Sequence, residues 1–246
     1  MTGKLDVGGT LGEVFETYGN HAGVLLPIAF WLYLIVAVVS GLSVENFALF
    51  PLVILVGTIA ATLYQGVVVG LVRDVQDGHR DFSARELIES AWPVVLPLIG
   101  VGILFGVGVA IGFILLVVPG LILLTIWAVV APVIVVEHSG VIDAFGRSRE
   151  LVRGNGWQVF GVILVAFLIA GVASFILGQI AIAIAEGPIL RIVFSALAST
   201  LTAPIGALAA AVLYFRLLQL QGPAEPAPPP PAPPTAPPPP PPPPTA

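Results

Sequence analysis

Three arginines on one short polar segment are the residues with the clearest capacity for binding chemistry in this sequence. Arg147, Arg149 and Arg153 lie between Glu137 and Gly156, with long apolar stretches on either side. A basic group at the inner membrane surface contributes about 1 kcal/mol of attraction to anionic lipid. We therefore predict that this segment binds phospholipid head groups. The alternative is that the arginines only fix the topology and extend to the membrane surface.

A few polar side chains inside the apolar stretches indicate a second possible function. Gln65, Gln179 and Thr200 would line a cavity if their helices faced one another, and Pro204 would free backbone carbonyls near Thr200. Transport of a small solute or a lipid is therefore the alternative function. Ion-coupled transporters usually carry carboxylates inside the membrane, and these stretches have none.

One apolar stretch contains glycines at four-residue spacing, namely Gly102 with Gly106 and Gly108 with Gly112. Glycines at this spacing let a neighbouring helix backbone approach closely and gain van der Waals contact. We expect these four residues to pack helices within one chain. Homodimerisation through the same face is the alternative.

The sequence contains neither of two common catalytic motifs and no cysteine-based metal site. It has no cysteine, and its histidines fit neither an H-E-x-x-H nor a G-x-S-x-G pattern. One loop contains four side chains of types that bind cations, namely Asp74, Asp77, His79 and Asp81. We expect this loop to be solvated only. We predict no enzymatic activity and no cofactor.

The composition identifies the surroundings in which these residues must act. Of 246 residues, 57% are hydrophobic and 9% are charged, which excludes a soluble globular domain. The net charge of -5 provides no basic field for nucleic acid, so we expect no nucleic-acid partner. Membrane lipids are the expected surroundings.

Charged side chains are costly inside a bilayer, so the intervals without Asp, Glu, Lys or Arg map the membrane spans. The interval from Ser90 to Val136 is twice the length of one span, and Pro119-Gly120 near its middle predicts a hairpin turn. The sequence therefore predicts an all-α bundle of six spans, at residues 24–43, 48–72, 94–117, 120–136, 157–185 and 189–217.

The distribution of lysines and arginines predicts the orientation of these spans. Arg191 alone falls on one side, whereas the other eight basic residues share the side of both termini. Since Lys and Arg concentrate in cytoplasmic loops, we expect both termini in the cytoplasm. The first twenty residues lack the apolar core of a cleaved signal peptide, so we expect the first span to act as an uncleaved insertion signal. Trp31 and Trp127, near mid-depth, are expected to pack between helices.

Short amphipathic helices are predicted before the first, third and fifth spans. Capping boxes at Thr10 with Glu13 and at Ser83 with Glu86 begin the first two, and Ser139 is the candidate cap of the third. Such helices lie along the inner leaflet. The chain would then consist of three similar units, each a surface helix followed by a hairpin, although any multi-span protein needs amphipathic connectors.

Residues 222–246 have a different composition, with 16 of the chain's 24 prolines. A segment so rich in proline forms solvated polyproline II and does not join a packed fold. We predict a disordered cytoplasmic tail separate from the domain of residues 1–221. It would present PxxP surface to a protein partner, although a low-complexity appendage is the simpler interpretation.

The segment around the arginines resembles a known membrane domain. Ala131-Pro132-Val133-Ile134-Val135-Val136-Glu137, then Asp143-Ala144-Phe145-Gly146-Arg147-Ser148-Arg149-Glu150-Leu151-Val152-Arg153-Gly154-Asn155 and Trp157 are similar to the membrane domain named after bacterial glycerophosphoryl diester phosphodiesterases. In that enzyme a separate soluble barrel performs hydrolysis, and this chain has no such domain. The resemblance therefore implies a bilayer module of the bacterial inner membrane without phosphodiesterase activity, acting as an accessory or scaffold in envelope or lipid homeostasis.

Overall fold

The fold is that of a computed structural model, and the structure describes residues 4–44, 46–77 and 95–221. Within these ranges the chain is helical and contains no strand. A single 3-10 turn, Phe47–Leu49, joins the first two helices. The α-helices are α1 (Val7–Ser43), α2 (Phe50–Gln76), α3 (Val95–Leu115), α4 (Val117–Ile126), α5 (Val130–Glu137), α6 (Val141–Val152), α7 (Gly156–Ile184) and α8 (Pro188–Gln221).

Six helical segments of the described chain are long and apolar enough to cross a membrane, with α4 and α5 together forming the fourth. Each overlaps one of the six predicted spans, and about 20 apolar residues suffice to cross the hydrocarbon. The chain is therefore an integral membrane protein with an all-helical bundle. The 222–246 segment and the helix predicted to begin at Ser83 lie outside the described residues.

Helix α8 lies at the centre of the bundle and packs against α1, α2 and α7. Small buried residues along α8 let the neighbouring backbones approach closely. They include Ala196, Ala207, Ala209 and Ala211. Larger side chains fill the end near Tyr214 and Leu217. The outward faces of α3, α4 and α7 carry exposed apolar side chains, as expected for a surface in contact with lipid.

The predicted surface helix before the first span is wrong. Helix α1 runs without interruption from Val7, and Asp6 caps it by accepting a 3.0 Å hydrogen bond from the Gly8 amide. Thr10 is inside the helix and donates to the Asp6 carbonyl rather than starting a new helix. Val14 is fully buried, so the apolar stripe packs into the bundle instead of lying along the bilayer surface.

The turn between the third and fourth spans lies at Leu116 and not at Pro119-Gly120. Leu116 is extended (φ -167°, ψ 154°), and α4 begins at the next residue. Pro119 therefore occupies the first turn of α4, where a missing backbone N–H removes no hydrogen bond. Gly120 faces α3, where a Cβ would lie 2.6 Å from the ring of Phe113. Close packing, rather than turn formation, explains this glycine.

The fourth span is broken between α4 and α5. The Trp127 amide donates to the Leu123 carbonyl, as in a regular helix. The Val130 amide donates to the Trp127 carbonyl at 3.2 Å and not to the Ile126 carbonyl four residues earlier. Pro132, in the first turn of α5, cannot donate a hydrogen bond to the preceding turn, and its ring crowds that turn. The break therefore leaves the Ile126 carbonyl without its helical donor.

The two mid-depth tryptophans have different surroundings. Trp127 packs between helices as predicted, with its ring 4.8 Å from that of Phe145 and 6.4 Å from that of Phe105. The same prediction is wrong for Trp31, which is 66% exposed and touches only the ring of its neighbour Phe30 among the described aromatic residues. The depth of a tryptophan within its span therefore does not determine which face of the helix it occupies.

Polar contacts collect at one end of the bundle, which we call the polar end. The Leu5 amide donates to Asn155 Oδ1 at 3.1 Å, and Arg216 pairs with Glu13 at 2.7 Å. The start of α1, the start of α7 and the end of α8 therefore meet there. Both ends of the described chain lie on one side of the bundle, as an even number of spans requires.

Candidate functional site: an arginine-bearing helix at the polar end

Helix α6 is an amphipathic element between the fourth and fifth spans. His138 adopts a left-handed conformation (φ 50°) that ends α5, and the chain turns before α6 begins after Gly140. Ser139 is therefore not the cap, and its hydroxyl has no hydrogen-bond partner among the described residues. One face of the helix is buried, and it contains Ala144, Ser148, Leu151 and Val152. In the described part of the chain, α6 alone is a separate amphipathic helix preceding a span.

Two contacts attach α6 to the break in the fourth span. The Ser148 hydroxyl is fully buried and donates a 2.8 Å hydrogen bond to the Ile126 carbonyl. Beside it, the ring of Phe145 packs edge-on against Trp127. The Ile126 carbonyl, which the break leaves without a helical donor, is thus satisfied by α6. The position of α6 is therefore tied to the local structure of the break.

Arg147 belongs to a polar cluster that joins α5, α6 and α8. Its Nε donates to both carboxylate oxygens of Glu137 at 3.2 Å, and its guanidinium lies 3.6 Å from the Glu150 carboxylate. The Tyr214 hydroxyl donates to Glu137 Oε1 at 3.0 Å. Arg147 therefore has two carboxylate partners within the protein, and the hydroxyl of Tyr214 binds the first of them.

Arg149 and Arg153 have different surroundings. Both are exposed, and neither forms an ion pair or side-chain hydrogen bond with the described residues. They line a pocket of about 630 Å³ at the C-terminal end of α6, together with Gly146, Glu150, Val152 and Gly154. Gly154 has φ +89°, a conformation that favours glycine and turns the chain from α6 into α7. Of the three predicted arginines, these two remain available to an anion.

The three residues predicted for a transport cavity have separate surroundings in the described chain. Gln65 Nε2 donates to the Ala207 carbonyl on α8, and the Thr200 hydroxyl donates to Ala196 on its own helix. Gln179 is exposed on α7. A cavity of about 430 Å³ does lie between α7 and α8, but its lining includes Tyr33, Ser199 and Thr202 and none of the predicted three. Transport stays a prediction.

The four glycines of α3 lie in two kinds of surroundings. A Cβ at Gly102 would lie 3.1 Å from Thr62, one at Gly108 2.5 Å from Trp127, and one at Gly112 2.9 Å from the Gly120 backbone. At Gly106 nothing described lies within 4 Å of such a Cβ. Three of the glycines therefore stand where neighbouring helices approach α3 closely, and the fourth faces outward.

The polar loop after α2 is only partly described. Arg73 and Asp77 form an exposed pair at 3.9 Å, whereas His79 and Asp81 lie outside the described ranges. Among residues 4–44, 46–77 and 95–221 there is no group of three His, Asp or Glu side chains that could hold a metal ion.

Sequence reasoning missed Glu137, Ser148 and Tyr214 as members of this site. Glu137 is the first charged residue after a 47-residue interval without charge. That position marks the end of a span, and this feature of the sequence could have identified Glu137 as a site residue. Tyr214 is 77 residues further along, and only packing of α8 against α5 brings it to Glu137. Ser148 shows no signal in the sequence, since its partner exists only because the fourth span is broken.

The chain matches the model of a protein family. The family model described as a domain of unknown function (DUF7847) matches residues 10–218, a range that contains α6 and part or all of every membrane helix. No curated protein and no solved structure matches the chain.

Proposed function

The chain belongs to the DUF7847 family, and we propose that it is a non-catalytic membrane module that holds anionic phospholipid through Arg149 and Arg153. The observation that carries the proposal is the contrast between these two arginines and Arg147. Arg147 is neutralised by Glu137 and Glu150, while the other two line an open pocket without a carboxylate partner among the described residues. An unpaired cation at a membrane surface attracts an anionic head group.

Phosphate chemistry supports this assignment. The guanidinium fork can donate two parallel hydrogen bonds to a phosphate, and two forks in one pocket provide four donors for its oxygens. The pocket lies beside the first turn of α7, where a lipid head group would stand if α7 crosses the bilayer. At about 1 kcal/mol for each arginine, the pair favours an anionic over a zwitterionic lipid by about thirtyfold.

Location and role are part of the same proposal. The excess of basic residues at the polar end supports placing that end in the cytoplasm of a bacterium, with the protein in the inner membrane. The resemblance of residues 131–157 to the membrane domain named after glycerophosphoryl diester phosphodiesterases supports an accessory or scaffold role in envelope or lipid homeostasis. In this role the protein collects anionic lipid and performs no chemistry on it.

Native mass spectrometry of the protein released from lipid discs tests the proposal. Discs containing equal parts phosphatidylglycerol and phosphatidylcholine should yield protein with retained phosphatidylglycerol. The double variant Arg149→Gln, Arg153→Gln should lower this retention by about thirtyfold. The matched control Arg73→Gln, Arg191→Gln removes the same charge elsewhere and should retain lipid like the wild type. Equal retention by both double variants would overturn the proposed function.

A further inference from the structure

A second, apolar pocket of about 700 Å³ adjoins the arginine pocket. It lies between α4 and the first turns of α7, and we call it the α4–α7 groove. Its walls are apolar side chains of both helices, namely Val118, Leu121, Ile122, Ile126, Trp157 and Phe160. Ile122 and Val118 are more than half exposed, and Trp157 is 84% exposed, so the groove opens outward along its length. Its volume and apolar lining suit a hydrocarbon chain.

The two pockets share part of their lining and so adjoin each other. Ile126, Gly154 and Gly156 line both of them. Neither glycine has a side chain to separate the pockets, and a Cβ built at Gly156 would meet nothing within 4 Å. A molecule with a charged end and an apolar end can therefore occupy both pockets at once.

A third cation stands at the rim of the groove. Lys4 lines it, and the adjacent Leu5 is anchored by its own burial and by the hydrogen bond from its amide to Asn155 Oδ1. Asn155 immediately precedes α7, so the chain entering α1 is fixed beside the glycines that join the pockets. Positive charge therefore borders the junction on two sides, at Arg149 and Arg153 and at Lys4.

We infer that a single anionic glycerophospholipid occupies both pockets, with its phosphate between Arg149 and Arg153 and one acyl chain in the α4–α7 groove. The inference rests on the proposed function and names the ligand more narrowly, as a lipid held by both ends. Lys4 stands on the groove side of the phosphate, and the chain crosses the junction over Gly156. Trp157 covers the chain at the rim, where an amphipathic ring suits the boundary between water and hydrocarbon.

The two ends of the lipid contribute differently to binding. An acyl chain is in apolar surroundings both in the groove and in the bilayer, so transfer into the groove gains little hydrophobic free energy. The phosphate supplies the selectivity, since bulk zwitterionic lipid has no net charge for the arginines. The groove is required because it is the apolar space that adjoins the arginine pocket, so a lipid with its phosphate at the arginines directs its chain there. Blocking the groove should therefore displace the lipid although every charge remains.

Photo-crosslinking locates the chain directly. Phosphatidylglycerol with a diazirine in one acyl chain is incorporated into discs that hold the full chain, irradiated, and the labelled peptides are mapped. We expect labels in residues 117–126 and 156–160, and their loss in the Arg149→Gln, Arg153→Gln variant. Labels spread evenly over the exposed faces of α3, α7 and α8 in the wild type would overturn the inference.

Two variants obstruct the path of the chain without changing charge. Gly156→Leu places a side chain at the junction, and Ile122→Trp fills the groove from an exposed position that tolerates a larger residue. Each should lower phosphatidylglycerol retention at least tenfold. Gly171→Leu is the matched control, because Gly171 is on the same helix, has nothing within 4 Å of a Cβ and lines neither pocket. It should retain lipid like the wild type.

The outcomes separate the groove from the head-group site. If the arginine variant loses lipid while Gly156→Leu and Ile122→Trp, both eluting as the wild type does, retain it, the two-ended site is overturned and the proposed function stands. If none of the three loses lipid, both fail. Inorganic phosphate or glycerol phosphate that displaces the lipid at concentrations near those of the lipid itself would indicate a site for the head group alone, which also overturns the inference.

Discussion

The hydroxyl of Ser148 on α6 donates a 2.8 Å hydrogen bond to the carbonyl of Ile126 at the break in the fourth span. This contact joins a surface helix to a backbone defect inside the bundle. The carbonyl has lost its helical donor because Val130 bonds to Trp127 instead, and Ser148 is fully buried. A buried acceptor without a donor is costly, so this one contact stabilises both the break and the position of α6.

Ser148→Ala should therefore destabilise the protein by about 1–3 kcal/mol, the usual cost of leaving a buried polar group unsatisfied. Unfolding in mixed detergent micelles, followed by circular dichroism, measures the change. Ser174→Ala is a suitable control because Ser174 is exposed on α7. A Ser148→Ala variant as stable as that control would show that the carbonyl finds another donor.

The glycines of α3 provide a second prediction with a control inside the same helix. Gly112→Ala should destabilise the bundle by about 1–3 kcal/mol, since the new Cβ would lie 2.9 Å from the Gly120 backbone, which cannot move aside cheaply. Gly106→Ala should be neutral or slightly stabilising, because that position is open and alanine is the better helix former. The same unfolding assay compares them. Equal losses at both positions would contradict the packing described for α3.

The cluster around Glu137 should behave as a coupled unit. Tyr214→Phe and Glu137→Gln should each cost about 1 kcal/mol, because each weakens a hydrogen bond to a partly buried charged group. The double variant should cost less than the sum of the two, since the substitutions affect one shared contact. Arg73→Gln breaks an exposed pair with Asp77 and removes only a coulombic interaction with Tyr214, so it should change stability by about 0.5 kcal/mol or less. Strict additivity would show that Tyr214 and Glu137 act independently.

Topology can be tested with single cysteines because the natural chain has none. Asp77→Cys and Arg149→Cys lie on the polar-end side, whereas Glu186→Cys lies between α7 and α8 on the other side. In intact cells a membrane-impermeant maleimide should label Glu186→Cys and should reach the other two only after the cells are opened. Labelling of Asp77→Cys from outside would reverse the proposed orientation.

The spans were predictable from the sequence because the cost of burying charge is large and independent of packing. The helix starts were less predictable. Thr10 with Glu13 fits a capping box, yet Asp6 begins the helix four residues earlier and Glu13 pairs with Arg216 from the far end of the chain. Pro119-Gly120 has the composition of a turn, but its glycine is used for helix packing.

The site was predictable only in part for a similar reason. The sequence identifies all three arginines as candidates, since their type and their place beside apolar stretches are local features. Which of them is neutralised depends on Glu137, ten residues from Arg147, and on the contact of that carboxylate with Tyr214 of the last helix. Such contacts are determined by tertiary packing, and no spacing rule along the chain contains them.

The central position of α8 has a consequence for biogenesis. The C-terminal span is the most deeply enclosed of the six, and it supplies Arg216 to Glu13 and Tyr214 to Glu137. During synthesis the five earlier spans enter the membrane before the helix around which they assemble has left the ribosome. A nascent chain stalled before residue 188 would therefore expose the helix faces that pack against α8 and would leave Glu13 without Arg216, which should mark it for membrane quality control.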